Sequence, residues 1–164
     1  MKIFKKLMLS MLIVCSTYSM SFGMKYGGLW HEFCEAASDG NINKIKICLE
    51  KLKDQDLRSY FIRAKDESGY TALLYATMHN HKDIIRILIE AVKEQAQKVA
   101  LITDTYVNNL TALNLALIYR HPNVVIVLLE YYKQLGLEIS PNLLEELKSN
   151  PDLLPILQDL GFLK

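Results

Sequence analysis

Gly69-Tyr70-Thr71-Ala72-Leu73, running on to Ile87-Leu88-Ile89-Glu90, returns forty residues later as Asn109-Leu110-Thr111-Ala112-Leu113 and Val127-Leu128-Leu129-Glu130. Thr71, Leu73, Ala76, His81 and Glu90 have their counterparts at Thr111, Leu113, Ala116, His121 and Glu130. A fainter copy lies forty residues upstream in Phe33, Ala36, Asn43, Ile45, Leu49 and Glu50. Self-similarity at one period marks a stack of repeats, none of which buries its apolar face alone.

Each copy reads as two helices joined by a tight turn. In the first copy, Lys25-Tyr26-Gly27-Gly28 reads as a flexible turn ahead of a helix over residues 31–38. Asp39-Gly40-Asn41 ends that helix, since glycine and asparagine accept the left-handed conformation. Asn43 then caps a second helix over residues 44–52, with Ile45, Cys48, Leu49 and Leu52 on one face. In the second copy Asp66-Glu67-Ser68-Gly69 forms a turn, Thr71 caps a helix over 72–78, and His79-Asn80-His81 turns the chain. Asp83 caps the helix that buries Ile84, Ile85, Leu88 and Ile89. In the third copy Asn109 stands for Gly69, the common non-glycine residue that tolerates positive φ. His121-Pro122-Asn123 makes its turn, and Val124, Val125, Leu128 and Leu129 its core. Ile47, Ile87 and Val127 add an apolar row, as expected of helices packed on both a partner and the next repeat. Ala36, Ala37, Ala76, Ala112 and Ala116 are small because helices approach closely there.

Gly-x-Thr-Ala-Leu, then alanine, a turn histidine and a Leu-Leu-Glu-like ending, resembles the ankyrin repeat, with alanine where that family has proline. The resemblance covers residues 27–131 and is specific in the second and third copies. It implies an all-α solenoid of helix-turn-helix units that binds another protein on its concave side, formed by the inter-repeat tips and first helices. The matching positions are Trp30, Tyr70 and Leu110, then Ser38-Asp39, Met78-His79 and Ile118-Tyr119. Aromatic and apolar side chains stacked in this way suit interface anchoring, or equally the packing of Trp30 and Leu110 between repeats. The period departs from the family's, about 33 residues. The extra length falls after the second helix, where Ala91–Val99 is rich in strong helix formers and reads as a longer second helix. The family's usual inter-repeat connection is missing from the sequence.

Beyond Tyr131 the pattern decays. Gly136 breaks the helix, Ser140-Pro141 starts another lined by Leu143, Leu144 and Leu147, and Asn150-Pro151-Asp152 starts a last one. Residues 136–164 therefore read as a helical carboxy-terminal cap, half a fourth repeat that shields the last apolar face. Tyr131 and Tyr132 form either an exposed patch or the seal of this lid. The repeats fall at 27–66, 67–106 and 107–135 within a segment spanning 24–135.

The amino terminus is a separate object. Lys2, Lys5 and Lys6 precede an apolar core from Leu7 to Cys15 and a small, polar stretch ending in Ser21-Phe22-Gly23. That anatomy is a secretory signal peptide over residues 1–23, and it implies a secreted or periplasmic destination. An uncleaved anchor over residues 7–24, tethering a structural subunit to a membrane, is the other reading. Bulky Val14 before Cys15 argues against a lipoprotein signal. Cleavage removes three lysines from the 19 basic residues and leaves 16 against 18 acidic, a charge of −2.

The 164 residues amount to one domain, and a formal charge of +1 excludes a broad basic face for nucleic acid. Cys34 and Cys48 fit a disulfide in an oxidising compartment, or buried small hydrophobes in the first repeat. His79, His81 and His121 are the only candidates for a metal or enzymatic site, and for His81 and His121, which share one repeat position, the resemblance implies turn histidines bonded to backbone instead. Asp66, Glu67 and Asp83 read as turn and cap residues rather than an acid/base pair. No nucleophile stands beside a base, and no glycine-rich phosphate loop follows a strand. The expected function is recognition of a protein, without a catalytic site, cofactor or small-molecule substrate.

Overall fold

The computed structural model describes residues 27–106 and 109–163. The expected signal peptide, its cleavage point and Cys15 lie outside these residues. The chain divides into two units, Met1–Glu32 and Phe33–Lys164. In the first, residues 27–32 are helical, so Gly27 and Gly28 sit in a helix rather than the expected turn. Among those residues Trp30 is half-buried, with its indole nitrogen shielded and without a hydrogen-bond partner.

The second unit is built from helices. Its first copy holds α1 (residues 33–39), α2 (Ile42–Lys51) and α3 (Gln55–Arg63). The second holds α4 (Ala72–Met78), α5 (Lys82–Ala91) and α6 (Gln95–Thr103). The third holds α7 (Ala112–Ile118), α8 (Pro122–Leu135) and α9 (Pro141–Lys148), and α10 (Leu154–Asp159) follows. Helix α4 packs on α5 and α7 on α8, while α4 meets α7 and α5 meets both α2 and α8, so like helices stack on like.

The forty-residue period comes from a third helix, α3 or α6, in each of the first two copies. The segment after the second helix is not a continuation of it. The chain extends at Leu52 and Val92, whose buried side chains tuck into the core, and then restarts as α3 and α6. Asp54 caps α3 by accepting from the Leu57 amide at 2.8 Å, and Arg58 donates from Nε and Nη2 to the Leu52 carbonyl, closing the end of α2. Helix α3 packs on α4 and α5 of the next copy, and α6 on α5 and α8.

Turn geometry repeats with the sequence. The amides of Asn41, His81 and His121 donate to the carbonyls of Ala36, Ala76 and Ala116 at 2.8–2.9 Å, across left-handed Gly40, Asn80 and Arg120. This is the six-to-one closure that ends helices. The Phe162 amide makes the same bond to Leu157 across left-handed Gly161, so α10 is the first helix of a fourth unit displaced by one residue. Thr71 and Thr111 cap α4 and α7 as expected, Thr111 in a reciprocal box with Asn114. Two other caps differ. Asn41, not Asn43, caps α2, and its side chain accepts from the Lys44 amide at 3.0 Å. His81 stands at the start of α5, with Asp83 inside the first turn, where a carboxylate suits the helix dipole. Ser140 precedes Pro141 as expected but makes no side-chain cap bond.

The core runs through all copies, from Phe33, Ala36 and Ile45 to Leu143, Leu147, Leu153 and Leu157. Phe33 and Phe61 pack ring against ring at 5.1 Å. Tyr131 and Tyr132 are buried, so they form no exposed patch, and the Tyr131 hydroxyl reaches Glu90 on α5. Cys34 and Cys48 are both buried in the first copy. The row Ile47, Ile87, Val127 breaks the expected pattern, because Ile47 is 52% exposed. Among the described residues, no helix is long and apolar enough to cross a membrane.

Candidate functional site

The tips between copies are short hairpin turns. Asp66 N donates to Tyr70 O at 2.9 Å and, forty residues on, Tyr106 N donates to Leu110 O at 2.8 Å in an antiparallel bridge. Gly69 and Asn109 hold the positive φ each turn needs. The Asp66 carboxylate organises its tip, accepting from the amides of Ser68 and Tyr70 and, at 2.6 Å, from the Tyr75 hydroxyl. Successive tips are tied together. Lys65 Nζ lies 2.9 Å from both Asp104 Oδ1 and the Thr105 carbonyl, and the Tyr70 hydroxyl donates to that of Tyr106.

Three tyrosines gather here. Tyr70 stacks on Tyr106 with centroids 4.0 Å apart, and Tyr75 leans on it at 5.4 Å. Their phenols resist ionisation. The hydrogen bond to Tyr106, then burial, pushes Tyr70 up to about 12, and the bond to Asp66, then burial, pushes Tyr75 up to about 12. They remain hydroxyl donors at any physiological pH.

The other row of the strip lies at the carboxy-terminal ends of the first helices. Ser38 and Met78 are half-buried and Asp39 and His79 exposed; Ile118 and Tyr119 are 55% and 45% exposed, unusual for such large apolar side chains. His79 donates from Nδ1 to the Tyr75 carbonyl at 3.0 Å and lies 3.4 Å from Ser38 Oγ, so these positions of successive copies adjoin. The His79 ring stacks against His81 and the Tyr119 ring against His121. The structure therefore brings Ser38, Tyr70, Met78, His79, Ile118 and Tyr119 onto neighbouring first helices and tips. Leu110 is half-buried in its bridge, and Trp30 belongs to the other unit.

Sequence reading missed Tyr75, Tyr106 and the organising role of Asp66. The signal was present, since Tyr106 stands forty residues after Asp66 and Tyr75 one helical turn after Thr71.

The turn histidines have a structural role. His81 Nε2 donates to the Ser38 carbonyl at 2.8 Å and His121 Nε2 to the Met78 carbonyl at 3.0 Å, each reaching back into the preceding copy. Among the described residues, no three His, Cys, Asp or Glu side chains gather as a metal site would require. A groove of about 470 Å³ between the α7–α8 turn and the α9–α10 connection is lined by Arg120, His121, Glu146 and Asn150.

Helical units stacked like on like, stitched by one histidine per interface, define a repeat solenoid. A model of ankyrin repeats matches three copies over residues 33–140, and the chain belongs to the ankyrin repeat family. Members of this family are in general protein–protein interaction modules and are generally not catalytic. No curated protein sequence matches the chain.

Proposed function

We propose that this chain is an exported, non-catalytic module that binds another protein through the strip of tips and first-helix ends. The residues assigned to that surface are Tyr70, Met78, His79, Leu110, Ile118 and Tyr119, with Ser38 and Asp39 at one end. The observation that carries the reading is the exposure of Ile118 and Tyr119 on helix ends adjoining a stacked tyrosine cluster. Large apolar and aromatic groups held on rigid elements lose little entropy on binding, which is why such residues anchor interfaces. Export rests on the basic and apolar start of residues 1–23.

The test is affinity capture from the exported fraction, with the wild-type chain beside an Ile118→Ala, Tyr119→Ala, Tyr70→Ala variant and a Tyr60→Ala control. A partner retained by the control and lost by the triple variant at unchanged helicity supports the reading. A partner retained by the triple variant removes the strip as its site. Intact mass of the captured bait reads cleavage directly, and a bait that keeps residues 1–23 counts against export by cleavage.

A further inference from the structure

Ile47, Ile87 and Val127 are near-identical side chains at equivalent points of three stacked helices, yet their exposure falls from 52% to 2% along the row. The cause is the neighbour each helix has. Helix α8 is covered by α5 and α6, and α5 by α2 and α3. At α8 the covered face has a polar pattern. Arg86 Nη2 donates to Glu130 Oε2 at 2.7 Å, and the Tyr131 hydroxyl donates to Glu90 Oε1 at 3.1 Å. Arg86 and Glu90, four apart on one side of α5, thus meet Glu130 and Tyr131, beside buried Val127.

Helix α2 carries the same face. Glu50 and Lys51 stand where α8 has Glu130 and Tyr131, Ile47 stands where it has Val127, and all three are exposed. Lys51 is a better complement to a carboxylate than the tyrosine it replaces. We propose that this face of α2 docks an amphipathic helix of a partner protein. That helix sets an apolar side chain on Ile47 and, four residues apart, a cation against Glu50 and a carboxylate against Lys51. The internal interface between α5 and α8 states the chemistry the face accepts. A single helix covers a small area, so the contact is of the weak, reversible kind.

The probe is a labelled synthetic peptide copying residues 81–103, which contains α5 and α6, titrated by fluorescence anisotropy against the full chain. Saturable binding is expected, weakened about tenfold or more by Ile47→Asp. A receptor with Glu50→Lys and Lys51→Glu should bind weakly and recover with a peptide carrying Arg86→Glu and Glu90→Arg. All three positions are exposed, so folding should be unchanged, and circular dichroism checks it. The Ile118→Ala, Tyr119→Ala chain should bind the peptide normally, which separates this surface from the strip. Absence of saturable binding, or equal binding to Ile47→Asp, overturns the proposal. Binding that appears only after residues 1–26 are removed overturns it in favour of the chain's own amino-terminal segment. An Ile47-dependent dimer in sedimentation overturns it in favour of a second copy.

Discussion

His81 Nε2 lies 2.8 Å from the carbonyl oxygen of Ser38, forty-three residues earlier, and a Cβ placed on Gly40 would meet the same imidazole ring at 2.6 Å. One side chain thus ties two copies together and restricts the residue opposite it to glycine. His121 repeats the bond to Met78. The histidine of each turn is a stitch between copies rather than a ligand.

Gly40 and Gly136 both hold a positive φ, but only Gly40 faces a neighbour within 4 Å. Gly136→Ala should cost about 1 kcal/mol, the strain of a left-handed alanine. Gly40→Ala should cost a further 1–3 kcal/mol or so, because the ring must move. Chemical denaturation of Gly40→Ala in a His81→Ala background checks this, since that added cost should vanish there. Equal costs in both backgrounds would break the link.

His121→Ala removes the bond to the Met78 carbonyl and leaves that acceptor half-buried. The expected loss is about 1–3 kcal/mol, read as a fall in the thermal midpoint. His79→Ala, at an exposed position, should change stability by less than about 0.5 kcal/mol. A reversal of that order would remove the stitching role.

Tyr70, Tyr75 and Tyr131 are each pushed up to about 12, Tyr131 by burial and then by its bond to Glu90. A phenol in the unfolded chain titrates near about 10. The folded pKa is the higher one, so the folded state keeps protons that the unfolded state loses. Stability from these groups is fully present below pH 10 and is lost as pH rises toward 12. Absorbance titration at alkaline pH should show a group of phenols ionising late and together with unfolding. Ionisation of every tyrosine near pH 10, with the fold intact, would contradict it.

Cys34 is buried, and that burial, with the charge of Asp66, pushes its thiol up to about 12. The thiolate is the reacting species, so alkylation of the folded protein should be slow at neutral pH. Mass spectrometry should find Cys34 modified at the rate of unfolding. Rapid modification of Cys34 in the native protein would place it at the surface instead.

Removing residues 136–164 takes away Leu143, Leu147, Leu153 and Leu157, all buried. The shortened chain should scatter light and lose cooperative melting, because the last apolar face meets water. A soluble monomer with the parent's midpoint would show that α9 and α10 do not seal the stack.

Much of this was legible in the sequence because repetition multiplies weak signals. Thr71 and Thr111 are ordinary cap residues singly, yet their spacing sets both helices and register. Asn109 was readable as left-handed because Gly69 stands forty residues before it. The break at Val92 was not legible. Helix propensity over residues 91–99 favours continuation, and only the apolar pocket that takes Val92 turns the chain aside. Nor was the stacking of Tyr70 on Tyr106, since these residues stand at opposite ends of the second copy and meet only when successive tips stack.

The sequence by itself determined the family, the register and the core, because apolar periodicity and turn residues act locally and recur. Tertiary structure alone decided where the copies touch and which apolar residues stay in water. Ile47 and Val127 look alike in the chain, and one is exposed while the other is buried. Burial belongs to the neighbour a helix acquires, and a residue's own type does not contain that information.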